Sequence, residues 1–228
     1  MTGLQPRPEG RPVIRILLAD DHEVVRRGLV SMLAARPDWE VCGEAQNGRE
    51  AVSLAAKLKP NLAILDLSMP ELNGLEATRQ IRREVPDTEV LVFTMHESEQ
   101  FVRDLLAAGA RGYVLKSDVT TQLLNAIETV SRHKPFFTSE IAERVLEGFL
   151  RLGEMPASDG SAPGLLTPRE REIVQLLAEA RSNKEVATTL GISVKTVETH
   201  RASIMRKLGI TSIVDLVHYA IRNHLVAP

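Results

Sequence analysis

The chain has 228 residues, with 28 Lys/Arg against 30 Asp/Glu, a formal net charge of −2 and a hydrophobic share of 43%. This balance excludes collagen-like, low-complexity and disulfide-rich classes, and a lone cysteine, Cys42, cannot form an internal disulfide. No apolar run approaches the roughly 20 residues that cross a bilayer, and the opening "MTGLQPRPEGRP" lacks the apolar centre of a signal peptide, so a soluble protein of a reducing compartment with a frayed N-terminus is expected.

In chain order, short apolar runs at "VIRILLA" (13–19), "WEVCGEA" (39–45), "LAILDL" (62–67), "EVLVFT" (89–94) and "GYVLK" (112–116) read as strands. Segments with helical periodicity lie between and after them, at 22–35, 47–58, 74–84, 98–108 and 120–132. Strict alternation of strand and helix predicts an α/β fold with a five-stranded, doubly wound parallel sheet. The third and fourth runs are nearly continuous in apolar residues, as suits strands covered on both faces. Cys42 reads as a small buried hydrophobe.

"PFFTSEIAERVLEGFL" (135–150) reads as a further helix, and "RLGEMPASDGSAPG" (151–164) as a linker. Beyond it the strand signal stops. Thr167, Pro168 and Glu170 open one helix as N-cap, first-turn proline and capping-box acid; Ser182 and Glu185 open the next, which stops at Gly191. A third helix runs from Ser193 to Gly209, and "TSIVDLVHYAIRNH" supplies a fourth. The domains are therefore placed at 13–132, with extension and linker at 133–164, and a small all-α four-helix unit at 165–228. The last unit holds nine Lys/Arg and six Asp/Glu, a net +3, against −5 for the preceding residues. An acidic part joined to a basic part implies two jobs.

In open parallel sheets, sites form beyond the carboxyl ends of the strands. Asp20 and Asp21 follow the first strand, Asp66 ends the third, Thr94 the fourth and Lys116 the fifth. Clustered carboxylates repel unless a cation intervenes, and oxygen ligands suit a hard ion such as Mg2+. A carboxylate can also attack phosphorus, which makes Asp66 a candidate nucleophile. An Asp-Asp pair before a helix is otherwise only a cap. No glycine-rich phosphate loop follows the first strand, and no Ser-His-Asp or zinc-ligand spacing is present.

"LLADDHEVVRRGL", "LAILDLSMPELNGLEATRQIR", "LVFTMH" and "GARGYVLKSD" resemble the receiver domain of bacterial two-component response regulators over residues 13–132. The resemblance implies a flavodoxin-like fold in which Asp66 accepts phosphate from a sensor histidine kinase. It implies Mg2+ held by Asp21, Asp66 and the Ser68 carbonyl, with Asp20 acting through water. It casts Lys116 as partner of the phosphoryl group, and Thr94 and Tyr113 as switch residues, Tyr113 turning inward. Ser68 and His96 occupy positions that tune acyl-phosphate lifetime in receivers; His96 reads equally as a loop histidine without a role.

In the basic unit, "SNKEVATTLGISVKTVETHRASIMRKL" gives helix, tight turn and helix, a helix-turn-helix pattern. Val194, Val197, Ile204 and Leu208 form the expected core stripe of its second helix. Lys195, Glu198, Thr199, Ala202 and Arg206 make a different face, flanked by His200, Arg201, Ser203 and Lys207. An ordinary amphipathic surface helix has the same pattern. The motifs T-P-R-E-x-E, N-K-E-V-A and T-V-x-x-H-x-x-x-I-x-x-K-L resemble the LuxR-type domain over residues 165–225. That implies Glu198, Thr199 and Ala202 facing bases, and Lys195, His200, Arg201, Arg206 and Lys207 mostly meeting phosphates of double-stranded DNA, with Lys184 and Thr196 in the binding set. Some relatives carry lysines at the base-facing positions. Here Glu198 suits a cytosine amino group and Ala202 a thymine methyl, and recognition by shape and phosphates stays open.

Receiver, linker and LuxR-type domain form the layout of the NarL/FixJ class. The resemblance implies a bacterial cytoplasmic transcription factor, not an enzyme beyond its own phosphotransfer and autodephosphorylation, with no membrane partner. It implies a homodimer on activation through Val214, Val217 and Ile221 of the last helix, and phosphorylation that frees residues 193–208 for DNA. A vestigial receiver or an aspartyl-phosphate hydrolase is the rival reading.

Overall fold

The structure, a computed structural model, describes residues 13–95, 99–117, 120–138, 166–223 and 225–226. The first domain alternates β1 (Ile14–Ala19), α1 (Glu23–Ala34), β2 (Trp39–Ala45), α2 (Gly48–Leu58), β3 (Leu62–Leu65), α3 (Gly74–Glu84), β4 (Glu89–Thr94), α4 (Glu99–Ala107), β5 (Gly112–Leu115) and α5 (Thr120–Val130). All strand pairs are parallel, in the order β2-β1-β3-β4-β5 followed by a short β6 (Phe136–Phe137).

The sixth strand corrects the five-strand expectation. Phe136–Phe137 forms β6 and pairs with Gly112 and Tyr113 of β5. Two residues carry no periodicity, so the segment had read as the start of a helix. The rest of the extension and the linker lie outside the described residues.

Two apolar layers sandwich the sheet. On one face Leu29 and Leu33 of α1 and Leu123, Ile127 and Val130 of α5 pack on Ile16, Ile64 and Leu91. On the other, Ala51 and Ala55 of α2, Ile81 of α3 and Leu105 of α4 cover Leu17, Ala63 and Val92. Residues 62–65 and 90–92 are buried, as a strand covered on both faces requires. Cys42 is half-buried at a β-bulge, where the β1–β2 register skips between Ile16 and Leu17, and its thiol donates to the Ile16 carbonyl at 3.4 Å. Burial pushes that thiol pKa up, which suits an unreactive side chain.

The second domain contains α6 (Pro168–Ala178), α7 (Asn183–Leu190), α8 (Val194–Leu208) and α9 (Ile213–Arg222). Both expected capping boxes form, Thr167 with Glu170 and Ser182 with Glu185. Gly191 ends α7 at φ +64°, a left-handed conformation that glycine takes without steric cost. Ile173, Val174, Leu176, Val186, Val197, Ile204 and Leu216 form its own core. Val194, expected in the core, is 40% exposed in the first turn of α8; Val197 and Ile204 are buried and Leu208 is packed at the margin.

Candidate phosphoacceptor site and helix-turn-helix surface

Sheet register brings the predicted acids to one rim. Ala19 is level with Leu65, Leu65 with Val92, and Thr94 with Leu115, so the residues just beyond β1, β3 and β5 converge. Asp20 and Asp66 are buried and Asp21 is exposed. The ammonium of Lys116 lies 2.7 Å from Oδ2 of Asp20 and 3.1 Å from Oδ2 of Asp66, and joins two carboxylates that would otherwise repel. Asp66 is further fixed by backbone: its N–H donates to the Ala19 carbonyl at 2.8 Å, and its Oδ1 accepts from the Leu67 N–H at 2.8 Å. Burial pushes the Asp66 pKa up and the charge of Asp20 adds to this, while Lys116 opposes both.

Gly74 allows the loop after Asp66 to close. A Cβ there would stand 2.1 Å from the Asp66 carbonyl oxygen, an impossible contact. The N–H of Gly74 donates to Leu67, and Asn73 caps α3 by accepting from Glu76.

Thr94 is fully buried at the end of β4, and its carbonyl accepts from the Lys116 N–H at 2.7 Å. Tyr113 is 1% exposed. Its ring is thus already inside, where the sequence suggested an inward turn on activation. Ser68 is half-buried in the loop, two residues beyond Asp66. His96 lies outside the described residues.

Ligand atoms of Asp20, Asp21, His22 and Asp66 all lie within 4.8 Å of one another. This acidic cluster can bind a metal: three carboxylates at close range, with only Lys116 between two of them, offer the oxygen donors that a hard divalent ion takes. His22 was not among the expected site residues. Its Nδ1 sits 2.8 Å from Oδ1 of Asp21, though the side chain is 66% exposed.

On the second domain, Lys195, Thr196, Glu198, Thr199, Ala202 and Arg206 project exposed from α8, with His200 and Arg201 half-exposed; Lys184 is exposed on α7. Lys207 is engaged elsewhere. Its ammonium bonds both oxygens of Glu170, at 2.8 and 2.7 Å, so in this structure it ties α8 to α6 rather than facing outward for a phosphate.

The two domains are in contact through α6, which no pattern in the sequence announces. Glu172 and Gln175 of α6 and Glu179 at its C-cap recur at helical spacing along one face. Glu172 and Gln175 are buried against the first domain. Glu172 accepts from Arg49 of α2 at 3.1 Å and from Gln80 of α3 at 2.9 Å, and Arg171 pairs with the buried Glu76 of α3. Gln175 and Glu179 reach the loop after Asp66. Beside them lies a cavity of about 380 Å3, lined by Asp21, Ser68 and Met69 on one side and by Glu179, Val217 and Ile221 on the other. The exposed face of α8 is already open with the domains in contact, contrary to the expected freeing of 193–208; α9 borders the cavity through Val217 and Ile221.

Fold and site together define a receiver-type module with an acidic pocket, joined to a helix-turn-helix domain. The family description "Response regulator receiver domain" matches residues 16–128, and "Bacterial regulatory proteins, luxR family" matches 164–220. The chain is 42% identical to the transcriptional regulatory protein LiaR of Bacillus subtilis over 94% of its own length and 100% of that protein's. It is 38% identical to the oxygen regulatory protein NreC of Staphylococcus carnosus over 93% and 99%. Among solved structures, a LuxR-family two-component response regulator from Aurantimonas covers 60% of this chain and 99% of its own, with 36% identity and a TM-score of 0.58. RcsB of Salmonella enterica serovar Typhimurium, bound to promoter rprA with the phosphomimetic BeF3-, covers 91% and 98%, with 28% identity and a TM-score of 0.58. The chain belongs to the NarL/FixJ class of two-component response regulators, with a receiver domain and a LuxR-type DNA-binding domain.

Proposed function

We propose that Asp66 is the phosphoacceptor and that its phosphorylation by a sensor histidine kinase controls dimerisation and DNA binding. An oxygen of the Asp66 carboxylate attacks the phosphorus of the kinase phosphohistidine. The P–N bond breaks, its electron pair stays on the imidazole, and an acyl phosphate remains on Asp66. The observation that carries this reading is the Lys116 ammonium between Asp20 and Asp66, beside the buried Thr94. Lys116 would hold an oxygen of the incoming group, and Thr94 would donate its hydroxyl to another. Asp21, Asp66 and the Ser68 carbonyl would hold Mg2+, with Asp20 acting through water; the ion supplies charge neutralisation at phosphorus. Tyr113 follows Thr94 as part of the switch, and Ser68 and His96 set the lifetime against attacking water.

The output is double-stranded DNA. Lys184, Lys195, His200, Arg201 and Arg206 would meet phosphates, and Thr196, Glu198, Thr199 and Ala202 would approach base edges in the major groove. A second copy would pair through Val214, Val217 and Ile221 to read a two-fold site. A cytoplasmic location follows from this role, and no separate substrate is turned over.

DNA binding by wild type and Asp66→Ala, with and without acetyl phosphate, tests the reading. Wild type should gain affinity with the donor and the variant should not. Equal binding under all four conditions would overturn it.

A further inference from the structure

The cavity of about 380 Å3 beside the loop after Asp66 falls in the range of about 300–1,000 Å3 that small-molecule sites occupy. Met69 and Pro70 of the first domain and Val217, Ile221 and Leu225 of the second make most of its wall apolar. Asp21 and Glu179 are its charged groups, and among the described residues no Lys, Arg or His lines it. Glu179 is half-buried, and neutral donors hold both of its oxygens. Oε1 accepts from the Gln175 amide at 2.9 Å and from the Glu71 N–H at 3.0 Å, and Oε2 accepts from the same N–H at 3.2 Å. These bonds fix the carboxylate without cancelling its charge. Burial pushes the Glu179 pKa up, with the Gln175 and Glu71 bonds and the charge of Arg181 opposing. A cation in the cavity would favour the charged form further.

We propose that this cavity binds a small organic cation, an ammonium on an apolar stem, with Glu179 as its counter-charge and Met69, Val217 and Ile221 around the stem. The lining selects this chemistry over the alternatives. A neutral apolar ligand would take water from both carboxylates and return no bond to either. An anion would meet two like charges. An inorganic cation would gain nothing from the apolar walls, which reward only a ligand with apolar surface to bury. An ammonium carries three N–H donors, and a charge-assisted bond to a half-buried carboxylate is among the stronger kinds. Asp21 lines the same cavity and adds to its negative potential. Asp21 is also the residue assigned to Mg2+ above, so the two cations compete for one carboxylate, and each weakens the other by the same factor. The ligand would thus be a chemical input to the metal site, separate from the phosphoryl group on Asp66.

The test uses the full chain in Mg2+-free buffer, with phenethylamine as the probe and phenethyl alcohol as its neutral counterpart, read by calorimetry. The amine should bind about tenfold more tightly than the alcohol, the difference between a charge-assisted and a neutral bond. Glu179→Gln keeps an acceptor for the Glu71 N–H and removes the charge. It should erase the preference for the amine and leave the alcohol nearly unaffected. Ile221→Trp fills the cavity and should abolish binding of both probes. An amine that does not bind wild type, that binds no better than the alcohol, or that binds Glu179→Gln as tightly as wild type overturns the proposal, and so does full binding to Ile221→Trp. If Ile221→Trp loses helical circular dichroism, Glu179→Gln decides alone. Saturating Mg2+ should weaken the amine several-fold in wild type, an arm that rests on Asp21 as a ligand of the ion. Amine binding that depends on Glu179 but ignores Mg2+ would support the cavity site and overturn the shared use of Asp21.

Discussion

The α-carbon of Gly74 packs so closely on the Asp66 carbonyl that a methyl group there would lie 2.1 Å from the oxygen. The contact is backbone against backbone, so no side chain can rotate away from it. Gly74→Ala must move either the first turn of α3 or the end of β3. We expect about 2 kcal/mol of lost stability, in the range for overpacking, measured by urea denaturation. Acetyl phosphate should also label Asp66 more slowly in this variant, because the carboxylate is carried on the displaced backbone. A variant as stable as wild type would mean that the loop has slack.

Removing Lys116 should separate two roles of the ammonium. In Mg2+-free buffer, Lys116→Met leaves buried Asp20 and Asp66 facing each other without a cation, and should cost about 3 kcal/mol. In the same variant Mg2+ should bind several-fold more tightly by calorimetry, since a competing positive charge has left the pocket. Unchanged Mg2+ affinity would argue that the ion does not share these carboxylates.

Most of the receiver sheet was legible because its strands are apolar on both faces and end in chemistry-bearing residues at one level. Asp66 stood out for that reason, directly after the buried run 62–65. What stayed hidden had no periodic signature. The sixth strand is two residues long, and its pairing with Gly112 and Tyr113 is a tertiary event. Glu172, Gln175 and Glu179 are polar, and polar residues at helical spacing suggest water; here their partners are the α2 and α3 side chains and the loop backbone of another domain. Lys207 belonged to a basic face by composition, but Glu170, 37 positions away in the chain, holds it.

That pair makes stability depend on pH. Burial alone would raise the Glu170 pKa, but the bonds from Lys207 and Thr167 outweigh it and hold the carboxyl below its usual 4.5. A carboxyl with a depressed folded-state pKa stabilises the domain fully above its unfolded value. The contribution fades as pH falls through the folded value. Lys207→Met should therefore lose about 2 kcal/mol near neutral pH, because the buried carboxylate keeps its charge and loses its partner. The gap to wild type should narrow as pH falls below 4.5 and through the folded value of the carboxyl. Thermal melts across that range check both statements, and a gap independent of pH would place the cost in packing instead.

The DNA surface can be divided by salt and by sequence. Arg206 and Lys195 are exposed on α8 and are assigned to phosphates. Arg206→Ala should weaken binding to cognate and random duplexes alike, and should lower the slope of log affinity against log salt by about 1, the loss of one released counterion. Glu198 and Ala202 are assigned to bases. Glu198→Ala removes an acceptor for a cytosine amino group and should cost about 1–3 kcal/mol on the cognate site alone. Its effect on the salt slope should be small, because a carboxylate neutralises no phosphate. Competition binding against a site randomised at one base pair per half-site would locate the position that relaxes. If Glu198→Ala instead tightens binding equally on every sequence, the carboxylate was merely repelling the backbone, and the preference for a site would have to come from the shape of the duplex.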